Sequence, residues 1–407
     1  MASSRRLSAI MFLLFSLNLV FTSLGLAQEL AFDKAKIFDE VWTNVRDQFF
    51  DARAIEANWE KARETFRPQA IAANSHDEFA EVMSQMLKTL NASHTAYFPT
   101  IHPKRFQLLG IFEFLVPPDR HDLLEFESIG FDTETIDGKV FVRSIYEGFP
   151  AAEVGLRFGD EIVSIDDQPF HAIESFRGKR TVTVACRRSR DGAIESLSVP
   201  VAKLNGRTMF ETSLEKSARK IERDGKSIAY VHVWSYAGTK YQDALRNLLL
   251  FGDLKSCDAL VLDLRDGWGG ASFEYLNLFS EPIAVMVSKP RTGDPTNYSG
   301  VWGKPVVLLT NERSTSGKEL FSYGFQKLKL GEVVGTTTAG AVLAGKPTLL
   351  SNGDVLYLAV SNIEVDGQRL EGKGVAPTIE IARPIPYANG ADPQLEKALE
   401  VAREKLR

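Results

Sequence analysis

The chain has 407 residues, 48 of them Lys or Arg and 53 Asp or Glu, for a formal net charge of -5. That balance, with no basic stripe and no stacking-aromatic pattern, argues against nucleic acid as a partner. The length allows two or three domains with substantial cores, and the chain shows no fixed-period repeat and no His/Cys cluster at zinc-ligand spacing.

At the N-terminus, Arg5 and Arg6 precede the apolar run Leu7 to Leu24, and Gly25-Leu26-Ala27 supplies small residues before a cleavage point. This predicts a secretory signal peptide over residues 1–27, cut after Ala27, and so an exported protein, periplasmic or extracellular. The run is also long enough to remain as an anchor, which would hold the protein near a membrane. No cysteine follows it, so lipid anchoring is not indicated. Amphipathic helices are predicted over Phe32 to Phe50 and Asp77 to Leu90, in an N-terminal helical region (residues 28–105) that delivers Ser93-His94 at a helix exit. An imidazole there is a candidate general base, provided the fold brings it to a nucleophile. His76, His102, His121, His171 and His232 sit in no motif and read as surface or packing residues.

Residues 106–205 form a separate module. Ser128-Ile129-Gly130-Phe131 opens a strand, Lys139 to Val142 is a second, Ala151 to Leu156 a short helix, and Gly159 to Asp166 a turn into a third strand; Thr181 to Ala185 follows. The stretch resembles a PDZ domain. That likeness implies binding of an extended peptide by strand addition, with Gly130 and Phe131 receiving its terminal carboxylate. A rigid spacer with an occluded groove stays open as an alternative, the Leu/Phe/Pro-rich lead-in Gly110 to Phe126 being the candidate cover. Cys186 and Cys257 fall in different modules and read as small buried residues that do not pair.

From Ile228 the chain alternates strands (Ile228 to Val233, Ala259 to Leu264, Val306 to Leu309, Val355 to Val360) with helices (Lys240 to Leu250, Lys318 to Leu328), an α/β core within residues 206–407. The Asp263 to Gly270 stretch ends a buried strand in paired glycines, which serve either a tight turn or close backbone approach to a ligand. Ser316 lies where the Pro305 to Leu309 strand turns into a helix beginning near Gly317. A serine at such a point either caps the helix, with Glu319 completing a capping box, or acts as a nucleophile whose charge is held by unpaired N–H groups and the helix dipole. Lys318, two residues on, shares no face with Ser316 and reads as a solvated surface lysine. Lys346 is a rival base should its loop be shifted, and Glu371 is either a functional carboxylate or a surface group beside Lys373. Asp392 caps a final amphipathic helix, Gln394 to Leu406.

Taken in order, Ser93-His94-Thr95, the Val261 to Gly270 glycine-rich segment, Asn311 to Glu319, Val333-Val334-Gly335, Glu371 to Pro377 and Asp392 to Leu399 resemble the C-terminal processing (tail-specific) serine peptidases and their tricorn-like relatives. The resemblance implies an α/β fold with a crotonase-like or ClpP-like core of mixed sheet and helices, an N-terminal helical region and an inserted PDZ-like domain. In the processing branch a lysine is the general base, and here that position is Ala341. The tricorn-like branch uses a tetrad instead. Ser316 then matches the nucleophile, His94 the base, Glu371 the distant carboxylate and Ser93 its link to His94, with Gly270 and Gly317 supplying oxyanion N–H groups. The activity so implied is a serine endopeptidase acting on polypeptides, near their C-termini, through an acyl-enzyme and without metal or cofactor. The alternative is a catalytically silent relative that binds peptides or scaffolds a partner.

Overall fold

A computed structural model describes residues 32–282 and 284–406; the signal peptide read over residues 1–27 lies outside them. Unbroken apolar runs decide the centre of the molecule. Ala259–Asp263 and Val306–Thr310 show no polar alternation, as expected of strands covered on both faces, and all their residues are buried. They are neighbours in a six-stranded sheet ordered Ile379–Glu380, Gly331–Gly335, Val306–Thr310, Ala259–Asp263, Lys226–His232, Arg219–Arg223. Every pairing is parallel except the last.

On one face Leu260, Leu262 and Leu308 pack with Leu245 and Leu249 of helix Thr239–Leu250 and with Phe321 and Phe325 of helix Gly317–Lys327. On the other, Val261, Val307 and Leu309 pack with Ala398, Leu399 and Val401 of helix Pro393–Glu404, capped by Asp392 as its sequence indicates. A parallel sheet sandwiched in this way leaves its ligand crevice at the carboxyl ends of the strands. The glycine turn and the Ser316 loop both start there.

A buried ionic cluster ties that end of the sheet to the C-terminal helix. Arg265 meets Asp263 at 2.6 Å and Asp392 at 2.8 Å, and Nη1 donates to Gln394 at 3.0 Å. Against the cost of burial, the Arg265 guanidinium holds the Asp263 carboxyl well below the usual carboxylate range. Arg265→Met strands Asp263 as an unpaired buried charge and is expected to destabilise the fold by about 3–5 kcal/mol, read from the urea midpoint.

The N-terminal part is built on helices Lys34–Gln48, Ala52–Ala72 and His76–Lys88. The middle helix is absent from the sequence expectation, because it buries only Trp59, Ala62 and Ala70 and contains Pro68, and so carries little apolar periodicity. These helices also close over Leu343, Leu350, Leu356 and Leu358 from far downstream. The strand expected in the core sheet near Val355 lies elsewhere: Val355–Ser361 pairs antiparallel with Ala96–Phe98 on one side and with Ala344–Leu349 on the other. Ala96 stands opposite Tyr357. This sheet carries Ser93-His94 to the C-terminal half of the chain.

The inserted module is a five-stranded antiparallel sheet ordered Phe131–Ile136, Lys139–Ile145, Glu161–Ile165, Thr181–Arg187, Ile194–Pro200. Its core includes Ile129, Val142, Ile162 and Val184, and Phe131–Ile136 is an edge strand. Both cysteines are buried and free. Among the described residues no helix is long and apolar enough to cross a membrane.

Candidate active site

Ser316 stands at the N-cap of helix Gly317–Lys327 with φ 56° and ψ -125°, a conformation that an L-residue holds only under strain of order 1–3 kcal/mol. Hydrogen bonds of Ser316 and of its loop hold it there. Its N–H reaches Ala341 O at 2.8 Å and Glu319 Oε1 at 3.1 Å. Ser314 Oγ donates to Leu264 O at 2.9 Å, fastening the loop to the end of the neighbouring strand. Asn311 and Asp266 exchange hydrogen bonds at 3.1 and 3.2 Å, joining the same loop to the glycine turn. Glu319 is fully buried and also accepts from Gly340 N, Ala341 N and Thr338 Oγ1. The capping-box glutamate thus organises two loops around Ser316.

The glycine turn packs directly on this strained corner. A Cβ on Gly269 would come 2.6 Å from the Ser316 Cβ, and one on Gly317 would come 2.7 Å from Gly270 N and 2.3 Å from Ala271 N. Only bare backbone fits at both positions. The approach leaves the Gly270 and Gly317 N–H groups close together, and neither donates to a described residue. Two unspent donors beside a serine hydroxyl are what a developing oxyanion requires.

His94 arrives from the other half of the molecule, also at positive φ (53°). Its Nδ1 lies 3.0 Å from Ser93 Oγ, and that hydroxyl donates to Glu371 Oε2 at 2.9 Å. Because the single hydroxyl proton goes to the carboxylate, Nδ1 must be the donor to Oγ. The ring is then fixed as the Nδ1–H tautomer, and Nε2 keeps its lone pair. Glu371 is anchored in turn: it accepts from Ser93 N at 3.0 Å and from Val342 N at 2.8 Å. Burial lowers the His94 pKa to about 4, with the Glu371 charge pulling the other way.

Ser93, His94, Gly270 and Ser316 line one cavity of about 470 Å³, whose other walls include Phe98, Trp268 and Tyr357. Residues separated by more than two hundred positions are therefore brought together, and Glu371 stands directly behind Ser93. Ala341, where a lysine base would sit, lines the same cavity without a titratable group. Lys346 is exposed, donates to Gln48 Oε1 at 3.1 Å and does not line the cavity.

Lys318 overturns its expected place on the surface. It is fully buried, and its Nζ donates to Asp266 O at 2.7 Å and Trp234 O at 3.2 Å. The face opposite Ser316 on this helix points beneath the glycine turn, not into solvent. Burial pushes its pKa down to about 7, against the pull of Asp263 and Asp266. In sequence the only hint was its place two residues after the serine, and the tertiary cover of that face left no local trace.

In the inserted module, Gly130 (φ 87°) donates its N–H to Ser128 Oγ at 3.2 Å, and Phe131 is buried against Phe170 and Phe176. Arg143 of the adjacent strand reaches Asp266 at 3.1 Å, linking the module to the glycine turn. Ile111 and Phe112 of the Leu/Phe-rich lead-in line the Ser316 cavity.

A cavity that joins a strained serine, a tautomer-fixed histidine and free backbone donors defines the serine hydrolase class, and comparison with known proteins narrows it to serine peptidases. Residues 227–381 match the model of peptidase family S41, residues 32–88 the tricorn protease C1 domain and residues 128–201 the PDZ domain. The S41 match covers most of the α/β core, and the chain is similar over most of its length to C-terminal processing and tricorn proteases. It is 27% identical over 369 residues to the carboxy-terminal processing protease CtpB of Bacillus subtilis, covering 84% of this chain and 71% of that one. To the tricorn protease of Thermoplasma volcanium it is 24% identical over 396 residues, covering 91% of this chain and 36% of the relative. It thus spans about a third of the length of the tricorn proteases it matches. In fold it is similar to a crystal structure of the tricorn protease, with a TM-score of 0.55 at 21% identity, covering 92% of this chain and 37% of that one.

Proposed function

We propose that this chain is an exported serine endopeptidase that cuts polypeptides through an acyl-enzyme on Ser316. His94 Nε2 takes the Ser316 hydroxyl proton as Oγ bonds to the scissile carbonyl carbon. The carbonyl oxygen becomes an oxyanion facing the Gly270 and Gly317 N–H groups. Collapse breaks the C–N bond, and the imidazolium returns the proton to the leaving amine; water then repeats the sequence to free the acid. Ser93 relays the Glu371 charge to the ring, holding its tautomer and stabilising the imidazolium. The inserted module presents the substrate along its Phe131–Ile136 edge, with Gly130 and Phe131 at the terminal carboxylate, so that cleavage falls near C-termini. The basic, apolar and small-residue pattern ahead of Gln28 supports export.

One observation carries the reading: the Glu371–Ser93–His94 chain of hydrogen bonds ends on the cavity that Ser316 also lines. Treating the purified protein with a fluorophosphonate and mapping the adduct by mass spectrometry tests it. Labelling is expected on Ser316, absent in Ser316→Ala, strongly slowed in His94→Gln and retained in Lys346→Ala. A folded protein that takes no label on Ser316 would instead be a peptide-binding scaffold.

A further inference from the structure

Lys104 also lines the Ser316 cavity. It sits in the first turn of helix Pro103–Ile111, is partly buried, and its ammonium makes no ion pair or side-chain hydrogen bond with any described residue. Two acids lie near enough to act on it, Asp132 and Asp266. Neither forms an ion pair with it: Asp132 pairs with Arg313 at 3.6 Å, and Asp266 with Arg143 at 3.1 Å. Around it the cavity wall is apolar, with Phe98, Ile111, Phe112, Trp268 and Tyr357. Burial pushes the Lys104 pKa down against the pull of Asp132 and Asp266, and an ammonium here with no direct ion pair is stabilised when a ligand sets a carboxylate against it. None of the function proposed above uses this group.

Resting on the endopeptidase reading of the same cavity, we infer that Lys104 is a specificity-determining residue that anchors a carboxylate of the bound peptide close to the bond that Ser316 attacks. The apolar wall receives the neighbouring aliphatic or aromatic side chains. The carboxylate has two sources, the free C-terminus of the chain or an Asp or Glu side chain, and the ammonium contact is the same for both. The substrate class is therefore an apolar peptide segment carrying one anionic group, and uncharged segments of equal size bind less well.

The test is equilibrium binding, so that it does not depend on turnover. Fluorescein-labelled apolar hexapeptides are titrated by anisotropy into the full chain carrying Ser316→Ala, with and without Lys104→Met. One pair of peptides differs only in a C-terminal carboxylate or amide, the other only in an internal Glu or Gln. The carboxylate member of at least one pair is expected to bind about tenfold more tightly, with the preference lost in Lys104→Met and kept in Lys104→Arg. A preference confined to the amide pair identifies the chain terminus, and one confined to the Gln pair identifies the side chain. Equal binding within both pairs, or a Lys104→Met loss that is the same for charged and uncharged peptides, overturns the inference. An unchanged thermal midpoint shows that the variant is folded. Failure of the endopeptidase reading is seen separately, as the absence of a fluorophosphonate adduct on Ser316 in the unmodified protein.

Discussion

Replacing His94 by Gln is expected to lower kcat by about 10⁴-fold or more while KM changes little, since the ring acts on the reacting proton and not on substrate binding. The pH profile of the unmodified protein carries the sharper signature. Only the neutral imidazole accepts the Ser316 proton, and burial puts its pKa at about 4, where an exposed imidazole would titrate near about 6.5. kcat/KM should therefore rise as pH increases through about 4 and stay flat across the neutral range. Glu371→Gln removes the one charge that raises the His94 pKa, so the acid limb moves lower still. Activity at neutral pH falls at the same time, by roughly a hundredfold, because the imidazolium loses its counter-ion.

Stability follows the same group. The unfolded chain takes up this proton near about 6.5 and the folded chain only near about 4. Stability attributable to His94 is thus complete above about 6.5 and declines as pH falls across that window, an effect that His94→Gln abolishes. A profile that rises only in the alkaline range, or a His94→Gln variant of near-normal rate, would remove the histidine from the mechanism.

What the sequence made legible, and what it hid, divides along a physical line. Signals that are local in the chain came through. The apolar runs at Ala259 and Val306 announce buried strands, Ser316 announces a helix start, and Asp392 announces the last helix. Features decided by partners distant in sequence did not come through. Val355–Ser361 is a nearly unbroken apolar run like the core strands, and nothing nearby says that it pairs with Ala96–Phe98 and not with the parallel sheet. Glu319 reads as a capping residue, and its contacts to Gly340 and Ala341 exist only once the second loop is in place. Lys104 looks like any lysine in a helix's first turn until the fold sets it in the wall of the Ser316 cavity. The candidate tetrad was readable only as an ordered set of weak motifs, because hydrogen bonding between Ser93 and Glu371 spans most of the chain.

Lys318→Met is expected to cost about a hundredfold in kcat with little change in KM, although this lysine touches neither substrate nor reacting atoms. Its Nζ joins Asp266 O and Trp234 O beneath the turn that holds Gly270. Losing both bonds frees the turn, and a misplaced oxyanion donor costs about that factor. Ammonium and amine alike supply the two N–H groups these carbonyls need, so the rate should not track the titration of this lysine. Stability should track it. With a folded pKa of about 7 and an unfolded one near about 10.4, the unfolded state holds the extra proton between those values. The stability of the unmodified protein relative to Lys318→Met should therefore rise as pH increases from about 7 to about 10, by on the order of 4 kcal/mol, and be flat below. Urea unfolding of the two proteins across that range measures the difference. A constant difference at every pH, with kcat intact in the variant, would mean that the turn is held by its own backbone bonds and that Lys318 is only filling space.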